Sequence, residues 1–255
     1  MITSTSNSKI KHVRRLQQDR RYREREQAYV VEGTRWLQEA AAAFPDEATL
    51  FYTDNWLAAA ENEALLTRFK EAPLPVSDEV MAAMSEVATP QGALAVLPMR
   101  PRPLPQAPGF LLVLDGVQTP GNLGTMLRTA GAAGVDGILL APGSVDAYNP
   151  KVLRGAMGAH LRLPLYTANW DEIRRLTANT LVWLAAAKGR TAYTDANWRR
   201  PSTLIVGSEA HGAGSQAHDL AHDTVYIPMH ANTESLNAAM AAAVILFEAA
   251  RQRRS

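Results

Sequence analysis

The clearest pattern in this chain is the alternation of short apolar runs with helical spacing in its second half. Phe110-Leu111-Leu112-Val113-Leu114 is an unbroken apolar run. Residues 123–133 place apolar side chains at helical intervals, and 137–140 is apolar again. A strand with every position apolar has both faces buried, the habit of a parallel sheet covered by helices on each side. The alternation continues through a helix at 150–159 and strands at 181–187, 204–206 and 225–228. A last helix, 236–250, is apolar nearly all round, which places it in a core or between subunits; it is too short for a membrane span, and Glu248 sits within it. The first half predicts strands at 28–31, 50–52 and 93–97 and helices at 34–43, 56–70 and 78–84, a small α/β domain. Between the halves, five prolines in the eleven residues 98–108 remove backbone donors and forbid helix continuation, so the segment reads as a semi-rigid linker. The expected organisation is therefore a domain over 1–97, a linker over 98–109 and a mostly parallel α/β domain over 110–255.

Composition changes this picture in two places. The 255 residues are 47 % hydrophobic, enough for a sizeable core, and contain no cysteine. Thiol nucleophiles, disulfides and cysteine-bound metals are thereby excluded. The start of the chain is polar and then basic, without the apolar centre of a signal peptide, so a soluble cytoplasmic protein with no membrane partner is expected. Formal net charge is only +1, yet residues 1–25 hold eight Lys and Arg side chains against Asp19 and Glu24. Such a segment, with Lys9, Lys11, Arg14 and Arg15 at its centre, is either a solvated helix face or a surface for a polyanion, which it would attract by releasing condensed counterions.

Ligands of parallel sheets belong at the carboxyl ends of strands, and three polar and glycine-rich clusters fall there. Asp115 to Asn122 closes the first strand with turn chemistry. Asn122 stands near the start of the next helix, and Arg128 six residues on is expected to point back to the same strand ends. Gly207-Ser208-Glu209 follows a strand and enters a loop dense in glycine. A carboxylate there needs a partner, and Arg128 is the candidate. Ile227-Pro228-Met229 leads to Ser235-Leu236-Asn237 at the opening of the last helix, where Ser235 is either a helix cap or a ligand group and Asn237 has poor helix propensity without a hydrogen-bonding duty. No G-x-G-x-x-G fingerprint occurs, which argues against a dinucleotide-binding dehydrogenase. His218 and His222 have metal-ligand spacing, but Asp219 stands where a metalloprotease needs its glutamate, so no metal is expected.

Together these clusters resemble the SpoU/TrmH family of RNA ribose 2'-O-methyltransferases: Asn122-Leu123-Gly124 with Arg128, Gly207-Ser208-Glu209, and Ser235-Leu236-Asn237. The resemblance extends to Asn149-Pro150-Lys151-Val152-Leu153-Arg154-Gly155-Ala156-Met157-Gly158, with Ala156 where many members carry serine, and to Ser6 through Lys11, Val31-Glu32-Gly33 and Thr89-Pro90-Gln91-Gly92 in the first half. It implies a SPOUT domain with a deep trefoil knot, an exception to unthreaded topology. It also implies S-adenosylmethionine held near Gly207, Ile227, Met229, Leu236, Ala185 and Ala186, and a homodimer with the last helix in its interface. Arg128, Asn122, Glu209, Ser235 and Asn237 would form the reaction site, while Lys9, Lys11, Arg14, Arg15 and Arg154 would contact RNA. The implied reaction is 2'-O-ribose methylation, with ribosomal RNA of the 23S type as substrate. A transfer-RNA enzyme of the same family and a catalytically silent RNA-binding or assembly factor are the alternatives; donor binding separates the latter, and the separate first domain disfavours the former. Deprotonating a guanidinium at neutral pH would cost roughly 7 to 9 kcal/mol, so Arg128 is expected to act as a cation beside the developing alkoxide rather than as a base.

Overall fold

The structure is a computed structural model, described here for residues 1–230 and 235–254. The chain forms two compact units, the first comprising Met1–Arg100 with Tyr148–Leu153 and the second Pro101–Ala147 with Arg154 onward.

In the first unit, α1 (Ser8–Gln18) and α2 (Arg20–Glu26) precede β1 (Ala28–Glu32), α3 (Thr34–Ala43), β2 (Thr49–Tyr52), α4 (Asp54–Leu57), α5 (Ala60–Leu66), β3 (Leu74–Pro75), α6 (Asp78–Met84) and β4 (Ala93–Pro98). The sheet order is β1-β4-β2-β3, with β4 antiparallel to both β1 and β2. The basic N-terminal segment is an amphipathic helix. Ile10, Val13 and Leu16 of α1 pack with Val80, Met81 and Met84 of α6 over Val30, Phe51 and Leu94 of the sheet. Lys9, Lys11, Arg14 and Arg15 occupy the opposite, exposed face. Arg23 departs from that exposed set, because it is buried and donates to the carbonyls of Leu16 and Gln17 at the end of α1. The single helix expected over 56–70 is instead α4 and α5. Ala59 is extended at φ −84°, ψ 127°, and Asn62 donates to the freed Trp56 carbonyl at 2.8 Å. A side chain able to satisfy a helix-terminal carbonyl makes such a break affordable.

In the second unit, β5 (Phe110–Leu114) is followed by α7 (Pro120–Ala133), β6 (Gly137–Leu140), the end of α8 (Pro150–Ala156, whose residues 150–153 belong to the first unit), α9 (Ala159–Arg162), β7 (Leu165–Thr167), α10 (Trp170–Thr177), β8 (Leu181–Ala185), β9 (Thr191–Ala192), β10 (Ser202–Val206), α11 (Ser215–Leu220), β11 (Asp223–Tyr226) and α12 (Ala238–Arg254). Among the described residues these strands form a parallel sheet in the order β7-β6-β5-β10-β8-β11-β9. Every residue of β5, β6 and β10 is buried, including Ser202 and Thr203 of β10, as strands in a helix-covered sheet require. Helices α7 and α8 meet backbone to backbone at Gly124 and Gly155, where a Cβ on Gly155 would stand 3.2 Å from Gly124 Cα. The proline-rich stretch expected as a linker is partly docked: the Arg102 carbonyl accepts from Tyr166 Oη at 2.6 Å, and Leu104 packs on the core beside α10. No helix among the described residues is long and apolar enough to cross a membrane.

One buried titratable group ties stability to pH. His160 of α9 is enclosed, with Nε2 2.7 Å from the Ala147 carbonyl, and burial pushes its pKa down from 6.5 to about 4 against the opposing pull of that carbonyl and Asp146. The folded chain therefore holds it neutral where the unfolded chain protonates it. Stability from this group is complete above pH 6.5 and falls as pH drops toward 4, by about 3 kcal/mol in all. Urea unfolding between pH 7 and 4 should show that loss, and His160→Gln should flatten it; parallel pH profiles for the two proteins would assign the loss to other groups.

Candidate active site

The carboxyl ends of β8, β10 and β11 and the head of α12 enclose a cavity of about 490 Å³. All six residues expected to hold a methyl donor line it: Ala185, Ala186, Gly207, Ile227, Met229 and Leu236. So do Glu209, Ser235 and Asn237. The sequence reading missed Ala187, Val206 and Val225 on the strand side and Ala238, Ala241 and Ile245 on the helix side. A signal for part of that set was present, because 237, 241 and 245 recur at four-residue spacing and must share one face of α12.

Gly207 shapes the cavity by having no side chain. A Cβ there would collide with backbone atoms of Gly212 and Ala213, which cannot swing aside as a side-chain tip can. The loop that returns so close is fastened by its own hydrogen bonds: Ser208 and Gly212 exchange backbone bonds at 2.8 and 3.0 Å, and Gly214 N donates to the buried Asp115 carboxylate at 2.7 Å. The result is a rigid, small-residue wall that exposes backbone groups. Size, apolar lining and a few polar groups at one end suit an S-adenosylmethionine-sized molecule.

Three motifs that are distant in sequence meet in a hydrogen-bonded chain. Asn237 Oδ1 accepts from Ala239 N at 2.9 Å and Met240 N at 3.3 Å, capping α12. Its Nδ2 donates to Asn122 Oδ1 at 3.2 Å, and Asn122 Nδ2 donates to Glu209 Oε1. The helix cap fixes which end of each amide is which, since an oxygen that accepts from backbone N–H groups leaves only the nitrogen to donate onward. Asn237, rather than Ser235, is thus the cap of the last helix, which runs four residues beyond its expected end to Arg254.

The partner expected for Glu209 is not the one found. Arg128 is exposed, does not line the cavity, and its side chain makes no hydrogen bond or ion pair among the described residues. Six residues along a helix place it about 120° around α7 from Asn122, so the two cannot face the same neighbour. Glu209 is itself exposed and keeps water as a solvent, which removes the need for a buried counter-charge. Arg154 is exposed on α8 and Lys9, Lys11, Arg14 and Arg15 on α1, none of them in the cavity. Nδ1 of His222 accepts the Val182 backbone N–H at 3.1 Å, and no metal-holding group of three or more acidic or histidine side chains occurs among the described residues.

Comparison with known proteins places this geometry. Residues 109–247 match the model of the SpoU rRNA Methylase family, and residues 7–95 match the MRM3-like substrate binding domain. The 23S rRNA (guanosine(2553)-2'-O)-methyltransferase RlmP of Bacillus subtilis is 31 % identical, with 96 % of this chain and 97 % of that protein covered. The 23S rRNA (uridine(2479)-2'-O)-methyltransferase of Streptomyces viridochromogenes is 31 % identical over 99 % of this chain and 92 % of its own. Among solved structures, the AdoMet-bound rRNA methyltransferase of Sinorhizobium meliloti superimposes with a TM-score of 0.86 at 28 % identity, covering 98 % of this chain and 97 % of that one. The hydrogen-bonded chain from Glu209 to Asn237 falls wholly inside the matched stretch, and this protein belongs to the SpoU rRNA methylase family.

Proposed function

We propose that this protein transfers a methyl group from S-adenosylmethionine to a ribose 2'-hydroxyl of ribosomal RNA, of the 23S type that its bacterial relatives modify, in the cytoplasm. The observation that carries the reading is the linkage of Glu209, Asn122 and Asn237 at the mouth of a small-residue cavity. When bound, S-adenosylmethionine supplies an electrophilic methyl group. Gly207, Ile227, Met229 and Leu236, with Ala185 and Ala186, would hold it through backbone groups and small apolar contacts. Asn122 and Asn237, locked by their shared hydrogen bonds, would orient the acceptor ribose together with Ser235, and Glu209 would hold Asn122 in place. The deep trefoil knot implied by the resemblance belongs to the same proposal, supported by the insertion of β10 between β5 and β8.

Inside one chain Arg128 meets neither Glu209 nor the cavity lining. Its proposed part, a cation beside the developing alkoxide, therefore engages a group from outside the chain, either the RNA or the site of a second copy. A second copy is supported by α12. Met240, Val244 and Phe247 are 53, 37 and 50 % exposed and form one stripe along the helix. A large apolar side chain left in water forgoes roughly 1.5–3 kcal/mol, so covering the stripe with its symmetry mate would be favourable, and α7 with Arg128 packs directly on α12. The basic face of α1 and the N-terminal unit would bind the RNA backbone.

Ribose methylation mapped on ribosomal RNA from cells with and without the gene tests the function. One position should lose its methyl group, and identical maps would refute the assignment. Arg128→Ala should abolish turnover while leaving donor affinity within a few-fold by calorimetry; near-normal turnover would remove Arg128 from the chemistry. Met240→Glu with Phe247→Glu should give a monomer by sedimentation, and a persistent dimer would move the interface off α12.

A further inference from the structure

The N-terminal unit carries a cluster that general electrostatic attraction to RNA does not explain. At the corner between α1 and α2 the half-buried ring of Tyr22 lies 4.3 Å from the Arg15 guanidinium carbon and 4.7 Å from that of Arg25, each measured to the ring centroid. His12 completes the group: its Nδ1 is 2.8 Å from Tyr22 Oη, and its ring meets the tyrosine edge at 5.5 Å between centroids. The acidic contacts are local and incomplete. Arg15 reaches Asp19 only at 3.8 Å, Arg25 is held by its neighbour Glu26, and the two arginine side chains stay 56 and 61 % exposed. Lys11, Arg14 and Arg21 are exposed nearby in sequence, with no side-chain hydrogen bond or ion pair among the described residues.

A tyrosine that only pinned α1 to α2 would need neither of two like-charged groups on its ring. Gathering guanidinium ions around one phenol opposes their mutual repulsion, and the arrangement suits a ligand that brings negative charge and a flat surface together. A guanidinium stacked on an aromatic ring is weakly hydrated, keeps its N–H groups at the rim and offers its outer face to another planar group. Unpaired nucleotides present that combination, a free base face next to phosphates, whereas a continuous RNA duplex hides its base faces. We propose that His12, Arg15, Tyr22 and Arg25 form a stacking site for an unpaired nucleotide, so that the RNA recognised by this unit is single-stranded at the point of contact. The proposal rests on the RNA-methyltransferase reading and narrows its substrate to a loop, bulge or opened strand.

The test uses the full chain and two fluorescent probes, a single-stranded oligoadenylate of about 12 nucleotides and a paired RNA duplex of the same length, titrated by anisotropy over a range of salt. Tyr22→Leu should weaken single-strand binding by at least about fivefold and duplex binding by less than about twofold, as loss of one stacked base predicts. Arg15→Lys with Arg25→Lys keeps both charges but removes both planar groups. It should reproduce the single-strand loss with an unchanged salt slope, and it guards against a folding defect in the first variant. Equal losses on the two probes, or lysine substitutions that bind the single strand as tightly as the parent, would overturn the stacking site. Parent protein that binds neither probe and methylates no RNA would instead sink the functional reading beneath it.

Discussion

A side-chain amide has one accepting end and one donating end, and at Asn237 both are committed. The oxygen closes the open N–H groups of α12, and the nitrogen reaches Asn122, which in turn holds Glu209. A helix cap of this kind is worth about 0.5–2 kcal/mol, modest against the whole fold but enough to fix a rotamer. The end of the cavity where Asn122 and Glu209 meet is thus oriented by the same side chain that starts the last helix. Local stability and site geometry cannot be varied separately there.

The cavity exists because a parallel sheet directs successive strand ends to one edge. Strands β5 and β10 bury both faces and are followed immediately by Asp115 and Gly207, as β11 is by Ile227, so that Gly207 and Ile227 line the cavity at the strand ends. Small side chains keep that edge open. Where the loop after β10 folds back on Gly207, even one methyl group would collide with the backbone of Gly212 and Ala213.

Up to Phe247, helix α12 is apolar on every side, for three separate reasons. Ala239, Ala242, Leu246 and Ala249 are buried in the core, Ala238, Ala241 and Ile245 face the cavity, and Met240, Val244 and Phe247 remain in water. Only the last set asks for a partner. The N-terminal helix α1 divides its faces more simply, with apolar residues inward and cations outward.

The sequence by itself determined the parallel sheet and the placing of the three motifs at its strand ends, because burial on two faces and helical spacing leave their mark on every residue of an element. It also singled out Gly207, Glu209 and Asn237, which the fold brings to one cavity. It misread 56–70 as a single helix, because the break at Ala59 is stabilised by Asn62 reaching back to Trp56, a contact that periodicity does not encode. It likewise paired Glu209 with Arg128 by charge, while the fold paired it with Asn122. Charge is a property of residue type and can be read from a string of letters. Which side of α7 faces the loop carrying Glu209, 87 residues on from Asn122, is set by helix phase and by the packing of α7 on α12, and only the tertiary structure decided that.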